Sequence, residues 1–171
     1  MDNKKFMKVA IDLSDENFDK KYGGPFGACI VKDNEIIGKG INRVIKDNDP
    51  TAHAEIIAIR NASKYLKTHD LSGCTLYTSC YPCPMCLSAI IWANIKKVYY
   101  ANTKEDAADI GFRDEAIYEY IESLSSDKEN KKILNLKSLD KEDAIKVFER
   151  YEQSNDKLIY WSKTLLFFVI M

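Results

Sequence analysis

The residues with the clearest chemical potential lie in two short segments of the chain. His53 and Glu55 stand two positions apart in the first segment, and Cys83 and Cys86 stand three positions apart in the second. A catalytic zinc ion takes three protein ligands and leaves its fourth position to water. Cysteines at this spacing lie on one face of a helix and can share one ion, and a histidine can supply the third ligand. We therefore predict one Zn²⁺ per chain, held by His53, Cys83 and Cys86.

Glu55 distinguishes an open zinc site from a closed one. It is too near His53 in sequence to join the same tetrahedral shell comfortably, but its carboxylate can reach the open position. Zinc lowers the pKa of bound water from about 16 to about 7, and a nearby carboxylate can carry the released proton to a substrate nitrogen. Replacement of an amine by a carbonyl oxygen requires these two functions. The alternative is a closed four-ligand site completed by Cys80 or Cys74, which leaves Glu55 without a role.

The other cysteines and the second histidine have simpler interpretations. Cys29 and Cys74 fall in predicted strands, where cysteine commonly behaves as a small buried apolar residue. Cys80 stands beside the metal segment, and we expect it to support the site without binding the ion. His69 lies in a polar loop, and we expect it to be solvated.

Both metal-binding segments fall at predicted junctions between a strand and a helix. Periodicity and turn residues predict strands over 26–31, 36–41, 74–79, 98–101 and 133–139. They predict helices over 2–18, 49–66, 84–93, 105–109 and 115–121, and a last helix capped by Asp140. The second of these helices is predicted to begin at Asp49-Pro50-Thr51. The pattern predicts a three-layer α/β/α sandwich with a mixed five-stranded sheet, in one domain over residues 1–171.

Composition argues against a dedicated nucleic-acid binder. Lys and Arg number 25 against 26 Asp and Glu, so the formal net charge is −1, without the basic surplus that phosphate contacts require. The segment from Met1 to Lys8 is polar, so we expect no signal peptide. The apolar run from Leu165 to Met171 is too short to span a bilayer, and we expect a packed or interface-bound tail. We therefore expect a cytoplasmic protein without a membrane or nucleic-acid partner, whose cysteines serve metal binding or catalysis before disulfides.

The motifs together resemble the cytidine deaminase-like superfamily, and within it the small bacterial-type guanine deaminases. His-x-Glu followed by Pro-Cys-x-x-Cys is the mark of zinc nucleobase deaminases. The similarity covers roughly residues 1–120 well and the remainder loosely. The matching segments are Gly23–Ala28, Asn48–Glu55, Leu76–Cys80, Pro82–Leu87, Trp92-Ala93 and Asp106–Ala108 leading to Gly111-Phe112.

This resemblance implies hydrolytic deamination of guanine by water to give xanthine and ammonia. It implies that Glu55 is the proton shuttle and that Asp114 is a second catalytic residue. The implied substrate-binding residues are Phe26, Asn42, Ala54, Asp114 and Tyr160. An ionised carboxylate is an acceptor only, so Asp114 can receive the two donors that guanine presents at N1 and its amino group. The sequence alone equally allows Asp114 to be a helix cap and Asn42 to be a turn residue.

The resemblance also implies a homodimer in which the segment from about residue 140 to 171 is exchanged between subunits. An aromatic residue near that end would cap the base; Tyr160 is the candidate, with Trp161 and Tyr151 as rivals, and each could instead pack on the core. The chain departs from the family pattern at Tyr81, where glutamate is frequent, and in its longer C-terminus after Tyr160.

Other functions remain open at this stage. A tRNA adenosine deaminase shares the zinc motif, but it must bind an RNA loop, and this chain lacks an obvious Lys/Arg-rich tail. Another small aminopurine or aminopyrimidine, including a pterin-type amine, is also compatible, because pocket shape decides the substrate. A non-catalytic zinc-stabilised binding module belongs to a different class, and in such a module Glu55 would have no function.

Overall fold

The computed structural model describes residues 3–112, 114–124, 133–134 and 136–156 of the chain. The chain divides into two compact units, Met1–Glu129 and Asn130–Met171. Tyr160, Trp161 and the apolar tail lie outside the described residues. Among the helices of the described ranges, none combines the length and the apolar character needed to cross a membrane.

The first unit alternates helices and strands. Its elements are α1 (Asn3–Lys20), β1 (Gly27–Lys32), β2 (Glu35–Ile41), α2 (Val44–Asp47), α3 (Ala54–Leu66), β3 (Thr75–Cys80), α4 (Pro84–Trp92), β4 (Lys97–Asn102), α5 (Lys104–Asp109) and α6 (Asp114–Leu124). The described part of the second unit contains α7 (Lys141–Gln153).

The sheet is mixed, as predicted, with the strand order β2-β1-β3-β4. β1 pairs antiparallel with β2 and with β3, whereas β3 and β4 run parallel. The β1–β2 hairpin closes at Asp33 and Asn34, whose φ angles of 48° and 67° suit a tight hairpin turn. The sheet contains four strands in the part of the chain that the structure describes. The predicted fifth strand falls on 133–139, where residues 133–134 and 136–139 have turn or irregular backbone.

Alternate residues of β1 face two different apolar clusters. Ala28 and Ile30 belong to the cluster that α3 joins through its buried alanines, whereas Cys29 and Val31 belong to the cluster that α1 joins through Phe6. This period of two is the ordinary side-chain alternation of a strand. The two clusters hold α1 and α3 against the sheet, and α3 carries one half of the candidate site.

Two glycines on β2 let α3 approach the sheet very closely. A Cβ at Gly40 would lie 2.1 Å from the carbonyl oxygen of Ala54, and one at Gly38 would lie 2.6 Å from that of Ala58. Real Cβ atoms essentially never come this near to backbone, so any other residue would displace the helix. The absence of side chains at these positions therefore fixes the depth at which the first turn of α3 sits on the sheet.

The predicted start of the second long helix was wrong by several residues, since α3 begins at Ala54. The Asp49 carboxylate accepts hydrogen bonds from the Thr51 backbone N–H at 2.8 Å and the Thr51 hydroxyl at 2.7 Å. This local turn satisfies the capping side chain before the helix starts, so His53 becomes the N-cap residue.

The prediction for Asp140 was right in position and wrong in chemistry. Asp140 is the N-cap residue of α7, but its φ is 53° and its side chain makes no capping hydrogen bond.

The short helix α2 was not predicted, because four residues give too little periodicity to detect. It ends at Asn48, which adopts the left-handed conformation with a φ of 50°.

Candidate active site

The three predicted zinc ligands meet where α3 and α4 begin. His53 and Cys83 are the N-cap residues of these helices, and Cys86 lies in the first turn of α4. The His53 Nδ1 atom is 3.6 Å from the Cys83 sulfur and 3.7 Å from the Cys86 sulfur. Ligands on one tetrahedral zinc ion, with bonds of about 2.3 Å to sulfur and about 2.1 Å to nitrogen, stand about 3.5 Å apart. The spacing and the donor types therefore fit one zinc ion.

The geometry does not support a closed four-ligand site. Among the described residues, the group with metal-ligand spacing consists of His53, Cys83 and Cys86, whose ligand atoms all lie within 4.8 Å of one another. The Cys80 thiol instead approaches the carbonyl oxygen of Thr103 at 3.4 Å, and Cys74 belongs to the apolar core. The fourth position thus remains for water or substrate.

The two ligand cysteines lie close enough to affect each other's ionisation. The neighbouring Cys86 lowers the pKa of Cys83, whereas Cys83 and burial raise the pKa of Cys86. The hydrogen bond with Cys83 also raises the pKa of His53. A coordinated cation would deprotonate both thiols, so the opposite pKa directions of the two cysteines are compatible with one shared ion.

Glu55 lies beside the ligands in the first turn of α3 and is buried, with 6% of its surface exposed. One carboxylate oxygen accepts a hydrogen bond from the Thr78 hydroxyl at 3.2 Å, and the other accepts one from the Cys86 thiol at 3.5 Å. Burial raises its pKa above the ordinary value. Sequence reasoning missed Thr78, because a threonine in a strand is a common β-former and gives no functional signal.

A cavity of about 270 Å³ opens next to the ligands, a size near the lower end for small-molecule sites. Phe26 and Phe112 both line it, with ring centroids 4.7 Å apart in an edge-to-face arrangement. A Cβ at Gly24 would come within 2.8 Å of both rings, so this glycine leaves the space that the aromatic pair occupies. The pair gives the cavity an apolar aromatic wall, which suits an aromatic ligand.

Asn42 follows β2 and lines the same cavity with 4% of its surface exposed. Its side-chain oxygen accepts a hydrogen bond from the Val44 N–H at 3.1 Å, and its backbone oxygen accepts one from the Asn17 amide at 2.9 Å. A Cβ at Gly23 would lie 2.0 Å from the Asn42 side-chain oxygen. Asn42 therefore shapes a local turn and also lines the cavity.

Asp114 is the first residue of α6 and also lines the cavity. Burial raises the pKa of its carboxyl, the charge of Cys83 adds to that effect, and His53 opposes it. The position at a helix start agrees with the alternative of a capping role, yet the side chain is half-buried beside the ligands. Asp114 is thus available to contact a ligand in the cavity.

The remaining predicted site residues are placed differently. The Ala54 side chain is fully buried in the core cluster, so any contact with a substrate is confined to its backbone at the start of α3. Tyr81 lines the cavity and packs edge-on against Tyr100, with centroids 5.0 Å apart. Tyr151 lies in α7 of the second unit, and Tyr160 lies outside the described residues.

The geometry agrees with the match of this chain to a protein family. Residues 1–102 match the model of the cytidine and deoxycytidylate deaminase zinc-binding region. That span covers more than half of the chain and includes all three zinc ligands and Glu55. The chain belongs to this family and is a zinc-dependent hydrolase.

Individual relatives show which members of the family this chain is similar to. Guanine deaminase of Bacillus subtilis is 51% identical over 128 residues, which are 75% of this chain and 82% of that protein. The X-ray structure of guanine deaminase from Bacillus subtilis superposes with a TM-score of 0.86 at 41% identity, covering 94% of this chain and 100% of that one. A tRNA-specific adenosine deaminase of Buchnera aphidicola is 46% identical over 99 residues, 57% of this chain and 60% of that protein. The predicted resemblance to guanine deaminases is confirmed, and the chain is their homologue.

Proposed function

We propose that this chain catalyses the hydrolytic deamination of guanine to xanthine and ammonia. The observation that carries the proposal is the cavity itself, in which Asn42 and Asp114 face the same space as His53 and Glu55. The similarity to a protein named guanine deaminase over 75% of the chain supports this choice of base.

Glu55 is proposed as the proton carrier of the reaction. Lewis acidity for the activation of a water comes from zinc when it is bound by His53, Cys83 and Cys86. Glu55 would accept a proton from the attacking water and deliver it to the nitrogen that leaves as ammonia. Its burial and its hydrogen bond from Thr78 hold the carboxylate in one place beside the ligands.

Recognition of the base is proposed to rest on polar groups at its edge and aromatic groups at its face. The Asp114 carboxylate accepts hydrogen bonds from the N1–H and the amino group of guanine. It also helps to carry a proton to the leaving amine. Asn42 offers its amide to the edge with mixed donor and acceptor character, and the Ala54 backbone contributes from the start of α3. Phe26 lines the plane of the ring, and Tyr160 caps the base from the C-terminal segment.

We expect guanine to be the preferred substrate in a panel of guanine, cytosine, adenine and an anticodon-loop RNA. The reason is that Asp114 and Asn42 match the donor and acceptor pattern of the guanine edge. Ammonia release measured under the same conditions for each compound provides the comparison. Turnover of adenine or cytosine in preference to guanine would overturn the choice of base and leave the deaminase assignment standing.

The second candidate function is deamination of adenosine in tRNA. It is favoured by the relatives of that name, although the chain spans 60% of the first of them. A net charge of −1 argues against it, because counterion release from phosphates supplies most RNA affinity. Reaction of the anticodon-loop RNA alone in the panel would establish this function in place of the first.

We also propose that the protein is a cytoplasmic homodimer. In this proposal each subunit consists of one domain over residues 1–171. In this proposal the segment from about residue 140 onward is exchanged, and the sheet gains a fifth strand within a three-layer α/β/α sandwich. Among the described strands β4 pairs on one side, and its Tyr100 is 48% exposed, which leaves an edge for further pairing. All five cysteines are free, which suits a reducing compartment.

The dimer is expected to sediment at twice the 19.6 kDa of the chain. A chain that sediments at 19.6 kDa across micromolar concentrations, while it still deaminates guanine, would contradict the proposed exchange of segments.

A further inference from the structure

Helix α6 is connected directly to the loop that carries the zinc ligands. The Tyr118 hydroxyl donates a hydrogen bond to the carbonyl oxygen of Pro82 at 2.8 Å. Pro82 is fully buried and immediately precedes Cys83, the N-cap residue of α4. A side chain 36 residues away in sequence therefore holds the backbone next to a metal ligand.

Tyr118 and Asp114 occupy the same face of α6. They stand four residues apart, which places them one turn from each other on a helix. Asp114 reaches the cavity, whereas Tyr118 reaches the ligand loop. The two contacts thus lie side by side, one at the candidate substrate position and one at the metal.

Much of the remaining surface of α6 is open to solvent. Ile117 and Ile121 are 44% and 48% exposed, and Tyr120 is the buried residue of this helix. Lys104 lies over the Tyr118 ring, with its amino nitrogen 5.6 Å from the ring centroid. With few buried side chains along the helix, a directed hydrogen bond has a large share in fixing how far α6 stands from α4.

We propose that Tyr118 is a positioning residue, which sets the distance of Asp114 from the zinc-ligand loop through its hydrogen bond to Pro82. The inference rests on the proposed function, because it assumes that Asp114 contacts the base. Tyr118 is not among the residues that line the cavity, and its hydroxyl bonds to the backbone carbonyl of Pro82, so the proposed route of its effect on the reaction is through Asp114.

The test is the Tyr118→Phe variant, which removes one hydroxyl and keeps the ring. Tyr120→Phe is the matched control, because Tyr120 lies on the same helix and its buried hydroxyl has no hydrogen-bond partner among the described residues. Each variant is assayed as the zinc-loaded full chain, on whichever base of the panel the wild type deaminates fastest. Zinc content and Tm are measured for each to confirm a folded, loaded protein.

We expect Tyr118→Phe to lower kcat/KM about 10-fold with unchanged zinc content, and Tyr120→Phe to change it less than twofold. In the background of Asp114→Asn, the same Tyr118→Phe change is expected to lower kcat/KM less than twofold, because its route of action is already lost. Asp114→Asn alone is expected to lower kcat/KM about 100-fold.

Three results would overturn the inference. The first is that Tyr118→Phe and Tyr120→Phe lower kcat/KM equally. The second is that Tyr118→Phe lowers kcat/KM by its full factor in the Asp114→Asn background, and the third is that Asp114→Asn alone has wild-type kcat/KM. Failure of the guanine proposal is seen separately, as a different preferred base in the wild-type protein.

Discussion

The Glu55→Gln variant is expected to bind about one zinc ion per chain and to lose kcat by a factor of about 1,000 or more. Glutamine keeps the shape and the hydrogen-bond acceptor for Thr78, but it cannot accept and pass on a proton. The zinc ligands are untouched, because Glu55 is outside the group with metal-ligand spacing among the described residues. Metal analysis of the purified variant and ammonia release from guanine are the two measurements.

The matched control is Glu35→Gln, which makes the same change at an exposed position on β2. It should retain both zinc and wild-type kcat. If Glu55→Gln turns over guanine as fast as the wild type, the proton-carrier role is excluded. If the wild type holds zinc yet deaminates no base of the panel, the assignment of guanine as the substrate is excluded.

Loss of a zinc ligand is expected to have the second large effect. The Cys83→Ala variant should retain less than about a tenth of the wild-type zinc and show no measurable deamination, because two remaining ligands hold zinc weakly. Its Tm should also fall, since metal binding contributes to the stability of the native state. Metal analysis and a thermal unfolding curve, each with and without added zinc, check both expectations.

Cys80→Ala is the control for this variant, because it removes a buried thiol three residues away that also lines the cavity but hydrogen-bonds to the Thr103 carbonyl oxygen and lies outside the ligand group. It is expected to keep the full zinc content and at least about half of kcat, as a small cavity-forming change permits. If Cys80→Ala instead loses as much zinc as Cys83→Ala, the site is a closed four-ligand site. That result would exclude the hydrolytic mechanism.

The local parts of the fold were predictable from the sequence. The hairpin at Asp33-Asn34 and the helix after Pro84 follow from turn residues and caps that act over a few positions. The start of α3 was not predictable, because the Asp49 side chain can accept a backbone hydrogen bond in a turn as readily as at the start of a helix. Periodicity over 133–139 suggested a strand, but a strand also needs a neighbour to pair with, which sequence periodicity cannot supply.

In the candidate site, too, the features set by nearby residues were predictable and those that need the folded chain were not. His53, Cys83 and Cys86 were predicted because the geometry of zinc coordination restricts residue type and spacing within short segments. Thr78 and Tyr118 were missed, because their hydrogen bonds join residues 23 and 36 positions apart. Only the folded sheet and helices bring those groups together, and neither residue type is unusual in its own element.

The close packing of β2 against α3 has a practical consequence for engineering this protein. Replacement of glycine by alanine is a common way to stabilise a fold through the unfolded chain, and strand glycines are natural targets for it. At Gly38 and Gly40 the added methyl group would instead act as a wedge under α3, which carries His53 and Glu55, while Cys83 and Cys86 stay with α4. Thermostability and metal retention thus depend on the same two glycines, and a substitution at either one is expected to lower both.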